Sequence, residues 1–246
     1  MKTLVLGASG ATGKHLVEQL LAMNQQVKVI VRSTAKIPES WKSNNNLSII
    51  QATVLDIPMD EMAKHIKDCG AVASCLGHNI SFKGIYGKPR KLVRDSVKLL
   101  CKAITQNKTQ QPIKLVLMNT AGNRNGDLTE PISFGEKIVI GLIRALLPPQ
   151  ADNEQAAEYL RVQIGQKDPH VSWAAVRPDD LIDADDVSDY TAHPSPTCST
   201  IFNAGKTSRI NVGHFMATLI TDDAVWNKWK GQMPVLYNQS SETKEK

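Results

Sequence analysis

Apolar positions along this chain follow two periods that take turns. Residues 4–6, Leu-Val-Leu, form a short apolar run, and Leu16, Val17, Leu20 and Leu21 then recur on one face of a helix. The run at 26–32 reads as a second strand, 47–52 as a third, and 59–67 as a crossover helix. A fourth strand spans 71–76. Leu92, Val93, Val97, Leu100, Cys101 and Ile104 mark an amphipathic helix over 92–106. A fifth strand follows at 114–118, and then a helix at 134–147, stopped by Pro148 and Pro149. Asp152, Asn153 and Glu154 read as the cap of a helix over 155–166, ahead of a sixth strand at 171–176 closed by Arg177 and Pro178. Residues 208–215 lead from a short strand into a helix, and 233–237 read as a final edge strand. Strands and helices alternating in this way predict an α/β fold of the doubly wound kind, with a mostly parallel sheet.

Between the first strand and the first helix stand three glycines at a spacing of three, Gly7, Gly10 and Gly13. A strand, a tight glycine turn and a helix start make the first half of a dinucleotide-binding βαβ unit. Residues without Cβ let the backbone approach a pyrophosphate. The free N–H groups of the helix's first turn, which begins at Ala11, bind its charge. Ser9 and Thr12 add hydroxyl donors. Where an NAD-preferring site usually places an Asp or Glu after the second strand, this chain has Arg32, followed by Ser33, Thr34 and Lys36. A guanidinium makes charge-assisted bonds to a 2′-phosphate that a carboxylate would repel, so NADP(H) is expected over NAD(H). The fourth strand ends in Leu76 and Gly77, where bare backbone can lie against the ribose and nicotinamide. The loop 77–90 lies past the carboxyl end of a central strand, where open α/β sheets bind ligands. It mixes glycines, aromatics and bases, and places His78 nearest the nicotinamide, as a substrate-side residue or a hydrogen-bonded bystander.

At 246 residues the chain suits one domain, expected over 1–238, with substrate-side elements from 77–90 and 177–215 and a polar tail at 239–246. The glycine turn begins within a few residues of Met1, so no domain is expected ahead of it. The formal charge of +5 is scattered rather than striped, so no nucleic-acid partner is expected, and an anionic cofactor accounts for part of the excess. Cys69, Cys75, Cys101 and Cys198 have no C-x-x-C pairing and read as reduced residues of a cytoplasmic protein, with no metal site. No signal peptide is visible, and the longest apolar run, 138–147, is too short to span a membrane, so no membrane partner is expected. The stretch 179–197 carries six acids and a proline-rich end, and reads as a solvated acidic loop or a cover over the cleft. A monomer or homodimer acting on a small molecule is the expectation.

The run Gly7 to Gly13, Arg32, Asn119-Thr120-Ala121-Gly122, Glu158 ahead of residues 173–178, and the segment 210–215 together resemble the atypical short-chain dehydrogenases/reductases. Within them the likeness is to NmrA-like proteins and NAD(P)H-dependent flavin or biliverdin reductases. The resemblance implies a Rossmann-type domain, an adenine contact at Asp56 (also readable as a helix cap), and a catalytic hydroxyl at Thr120. The family's late I-x-x-x-D-V-A-x-F segment is matched without its Asp. The family's Tyr-x-x-x-Lys dyad is missing too, since none of Tyr86, Tyr159, Tyr190 and Tyr237 is followed four residues on by Lys. Interconversion of alcohol and ketone by that dyad is therefore not expected. Two readings remain. One is a reductase of a planar acceptor such as a flavin, quinone or linear tetrapyrrole, with Thr120, His78 and Asn119 positioning or protonating it. The other is a non-catalytic NADP(H) sensor. An isomerase or dehydratase using the cofactor internally is a weaker third.

Overall fold

The structure, a computed structural model, describes residues 1–78 and 81–239. Asn79 and Ile80 of the 77–90 loop, and the expected tail from 240 onward, lie outside the described residues. The opening apolar run becomes β1 (Lys2–Leu6), followed by α1 (Ala11–Ala22), β2 (Gln26–Val31), a short α2 (Glu39–Lys42) and β3 (Leu47–Gln51). Next come α3 (Met59–Ile66), β4 (Ala71–Ser74), α4 (Phe82–Tyr86), α5 (Leu92–Asn107) and β5 (Ile113–Met118). The chain continues through α6 (Phe134–Leu146), α7 (Pro148–Glu158) with a π-helical extension to Ile164, and β6 (Val171–Pro178). It finishes with β7 (Asp180–Ile182), β8 (Tyr190–His193), β9 (Lys206–Ser208), α8 (Arg209–Thr221), α9 (Asp223–Trp229) and β10 (Val235–Asn238).

The main sheet has the order β3-β2-β1-β4-β5-β6-β10-β8, parallel throughout except for antiparallel β8. This is the doubly wound, Rossmann-type architecture expected. Alternate residues of each strand face opposite layers. Leu4 and Leu6 point into a core shared with α3, α5 and α7, while Val5 points into one shared with α1, α8 and α9. In the second layer α8 crosses α1 so closely that a Cβ added to Gly213 would lie 2.8 Å from the Leu16 nitrogen.

Three expectations need correcting. The strand near 233–237 is not an edge, because β8 pairs along its outer side, Leu236 against Ala192. That edge strand lies inside the stretch 179–197, which also contributes β7, paired with β9. Pro148 and Pro149 do end α6, but they also open α7, since a proline in the first turn has no N–H to leave unbonded. Residues 152–154 are consequently inside a helix that starts seven residues before the expected position, and they do not cap it.

Candidate functional site

Strand order reverses between β1 and β4, the point at which doubly wound sheets open a crevice at the strands' carboxyl ends. A cavity of about 340 Å³ lies there. Its floor is the glycine turn. Gly7 has φ +71°, and a Cβ on it would meet the Cys75 carbonyl at 2.5 Å. A Cβ on Gly13 would stand 2.1 Å from the Gly7 oxygen. These two glycines close the turn against β4 and against itself. The first bond within α1's ladder runs from the Lys14 N–H to the Gly10 carbonyl, and α1 has no side-chain cap and no acid in its first turn. The amides of Ala11, Thr12 and Gly13 therefore have no acceptor among the described residues, and the helix's positive end is left for an anion.

Of the residues singled out from sequence, the cavity wall brings together Gly7, Ser9, Gly10, Arg32, Leu76 and Gly77, with His78 beside them. Arg32 is exposed at the end of β2 and has no carboxylate partner among the described residues. Lys88, which the sequence reading did not single out, also faces the cavity, and no Asp or Glu is among the lining residues. A surplus of bases over acids in 77–90 was the available signal. Asp56 closes a single turn after β3 and is exposed. Thr53 and Val54, not Asp56, reach the wall. The glycine cradle, the free amides and the absence of carboxylates fit the pyrophosphate of a dinucleotide.

His78 is tied on both sides. Its Nε2 lies 2.8 Å from an Asp152 carboxylate oxygen, and its Nδ1 lies 3.2 Å from the Gly84 carbonyl oxygen. Both partners are acceptors, so both bonds form together only when the ring carries two N–H groups. Asp152 is fully buried, and it also accepts the Val93 and Arg94 amides at 2.8 and 3.0 Å. It thus caps α5 from across the molecule and pins the loop after β4 to the same point.

Thr120 lies just past β5, partly exposed, and is not among the residues lining the cavity. Its hydroxyl accepts the Gly122 N–H at 3.3 Å. Asn119 is committed: its amide donates to the Asn153 carbonyl, and its oxygen accepts from Thr120 and Asn123. The helix that follows β5 and α6, α7, presents no tyrosine.

The loop after β5 is held by a fully buried pair that the sequence reading passed over. The Arg177 guanidinium donates to Glu130 at 2.7 Å and to the carbonyls of Met233, Asn123 and Pro194. The other oxygen of Glu130 accepts the Asn125 N–H. One side chain thereby joins β6, the loop after β5, the approach to β10 and the segment beyond β8.

Burial pushes the thiols of Cys75 and Cys101 up to about 12 and that of Cys69 to about 11, which leaves them neutral near pH 7. No group of potential metal ligands occurs among the described residues, and no helix there is long and apolar enough to cross a membrane.

A profile of the family described as NAD(P)H-binding matches residues 7–223. A chloroplast protein of Arabidopsis thaliana, the uncharacterised At2g34460, is 40% identical over 74 residues, which is 30% of this chain and only 26% of that protein. Among solved structures, the oxidoreductase ylbE of Lactococcus lactis superposes with TM-score 0.69 at 17% identity, covering 97% of this chain and 91% of that one. A short-chain dehydrogenase/reductase from Veillonella parvula, solved with NADP, gives 0.68 at 13% identity, over 97% and 95%. ChuY, an anaerobilin reductase from Escherichia coli O157:H7, gives 0.66 at 15% identity, over 98% of each chain. At these identities the solved structures establish a common fold.

Proposed function

The chain belongs to the NAD(P)H-binding family, with the fold of the atypical short-chain dehydrogenases/reductases, and from that premise we propose an NADP(H)-dependent reductase of a planar acceptor. The observation that carries this reading is the cavity at the sheet's switch point. Gly7, Ser9 and Gly10 of the glycine turn line it. The helix that follows Gly10 begins with three amides that have no acceptor among the described residues, and Arg32 and Lys88 border the cavity without a carboxylate. In this reading the turn from Gly7 to Gly13, with Ser9 and Thr12, holds the pyrophosphate, and Arg32 holds a 2′-phosphate that distinguishes NADPH from NADH. Asp56 stands at the adenine end, and Leu76 and Gly77 lie along the nicotinamide side. The cofactor supplies a hydride, and the chain's own residues orient the two rings. Thr120 offers a hydroxyl on the acceptor side. His78, fixed by Asp152 and Gly84, holds the loop after β4 in place beside the acceptor. We also keep as proposals a single functional unit over 1–238, a small-molecule substrate, a cytoplasmic setting and a monomer or homodimer.

An acceptor of the flavin, quinone or tetrapyrrole kind can take its proton from water, which makes the missing Tyr–Lys dyad tolerable. That same absence favours the second reading, a sensor that binds NADP(H) without turning it over. NADPH binding, and NADPH oxidation with flavins, quinones and small aldehydes, decide between them in one preparation. Turnover with the planar acceptors alone is expected. Tight binding with no turnover on any acceptor would transfer the assignment to the sensor. Arg32→Asp is expected to weaken NADPH roughly 10- to 100-fold while sparing NADH. An unchanged NADPH affinity would remove the 2′-phosphate assignment.

A further inference from the structure

The apolar run too short to span a membrane turns out to lie on the outside. In α6 the residues Phe134, Ile138, Leu142 and Leu146, four apart, form one stripe along the helix, and each is at least half exposed. Ile140 and Glu136 form the buried face of the same helix. The helix is firmly started: Ser133 and Glu136 complete a reciprocal capping box. Its neighbours extend the stripe. The Phe202 ring, itself exposed, lies across Gly135. At the other end the Tyr86 hydroxyl donates to the Leu146 carbonyl and its ring stacks at 5.1 Å on Phe82, which is 82% exposed. Scattered exposed apolar residues are ordinary, but a connected ridge of seven marks an interaction surface.

Bases outnumber acids around the ridge. Residues 84–91 carry Lys88, Arg90 and Lys91 and no acid. In 131–147 the bases are Lys137, which has no carboxylate partner among the described residues, and Arg144, which is paired with Glu154 of α7. The sole acid, Glu136, is buried and accepts bonds from Ser133 and Ser199. By the 3.6-residue repeat, Lys137 and Arg144 fall on the border between the stripe and the buried face, where long basic side chains reach polar headgroups while the apolar face enters the acyl region. We propose that this face docks the protein on an anionic lipid surface. Two copies of the chain meeting through it would set one basic rim against the other, whereas phosphate headgroups neutralise it. The docked face adjoins the cavity, because α4 supplies both Tyr86 of the ridge and Gly84 of the cavity wall. The proposal stands whether the cavity reduces an acceptor or senses the cofactor.

Flotation of the full chain with phosphatidylcholine vesicles, with and without phosphatidylglycerol, tests it, and NADPH binding serves as a check on folding. Recovery with the anionic vesicles is expected, weakened by salt, with little on phosphatidylcholine alone. Leu142→Glu, at an exposed position, is expected to reduce recovery about tenfold or more while leaving NADPH binding unchanged. Equal recovery on both vesicle types, or recovery indifferent to Leu142→Glu, would overturn the proposal. So would a light-scattering dimer that Leu142→Glu dissociates and that ignores both vesicles, since the face would then belong to a second copy.

Discussion

Two regions at the carboxyl edge of the sheet are built from different materials. The region formed by β1, α1, β2 and the end of β4 is a backbone structure, with apolar strands, two glycines that tolerate no Cβ and helix amides left open. The second region, the loop after β5 with β6 and β10, lies outside the cavity lining and is held by buried polar side chains. Arg177 alone reaches Glu130, Asn123, Met233 and Pro194. A backbone cradle binds whatever matches its shape and charge, and it is determined by residues adjacent in sequence. A polar scaffold can be re-cut by exchanging a few side chains, each of which acts far from its own position. The glycine-turn region therefore has little freedom to change side chains, whereas the region around Arg177 depends on a few of them.

The severest way to break that contrast is Gly13→Ala. Its Cβ has nowhere to go against the Gly7 carbonyl, so a loss of about 4 kcal/mol or more is expected, and NADPH binding should go with it. Denaturant unfolding and nucleotide titration measure both. Glu130→Gln strikes the other region. Leaving Arg177 buried without its charge partner is expected to cost about 3–5 kcal/mol in unfolding experiments. NADPH affinity measured well below the melting temperature should stay near that of the unmodified protein. If it collapsed along with stability, the two regions would not be separable. Asp152→Ala removes the cap of α5 and the partner of His78 together, and about 1–2 kcal/mol is expected from the lost cap alone. The smallest effect belongs to a pair remote from the cleft. Lys2 and Lys28 hold the Asp68 carboxyl down to about 2. A carboxylate with a depressed folded pKa contributes stability that is present above its unfolded value near 4 and is lost as pH falls toward 2. Asp68→Asn should flatten the acid limb of the stability profile over that window and leave neutral pH little changed.

The same division explains what could be read from the residues alone. The parallel core strands and the glycine turn follow from local signals, namely apolar runs, a helical period and residues without Cβ. The lining at Gly7, Arg32 and Leu76 followed from where strands end. The rest was harder for specific reasons. Strand β8, Tyr190–His193, is four residues long with only Tyr190 and Ala192 to alternate, and it lies in a stretch rich in acids, so its place outside β10 left too short a local trace. Pro148 and Pro149 carry two opposite signals, the end of one helix and the start of the next. Asp152 looks like the cap of its own helix and instead caps one that begins sixty residues earlier, a partnership that exists only in space. Glu130 and Arg177 stand 47 positions apart, and no spacing rule joins them.

The close crossing of α8 over α1 at Gly213 bears on the order in which the protein is made. Leu16, Val17 and Leu20 of α1 share their core with Val212, Phe215 and Met216 of α8. During synthesis the first helix emerges long before its cover, and until the segment around residue 213 has left the ribosome that apolar face stays open to water. A nascent chain paused or cut short of that point can pair its early strands but cannot seal the layer above them, and it is exposed to aggregation and to chaperones in the interval. The stretch that is synthesised first is among the last to be finished.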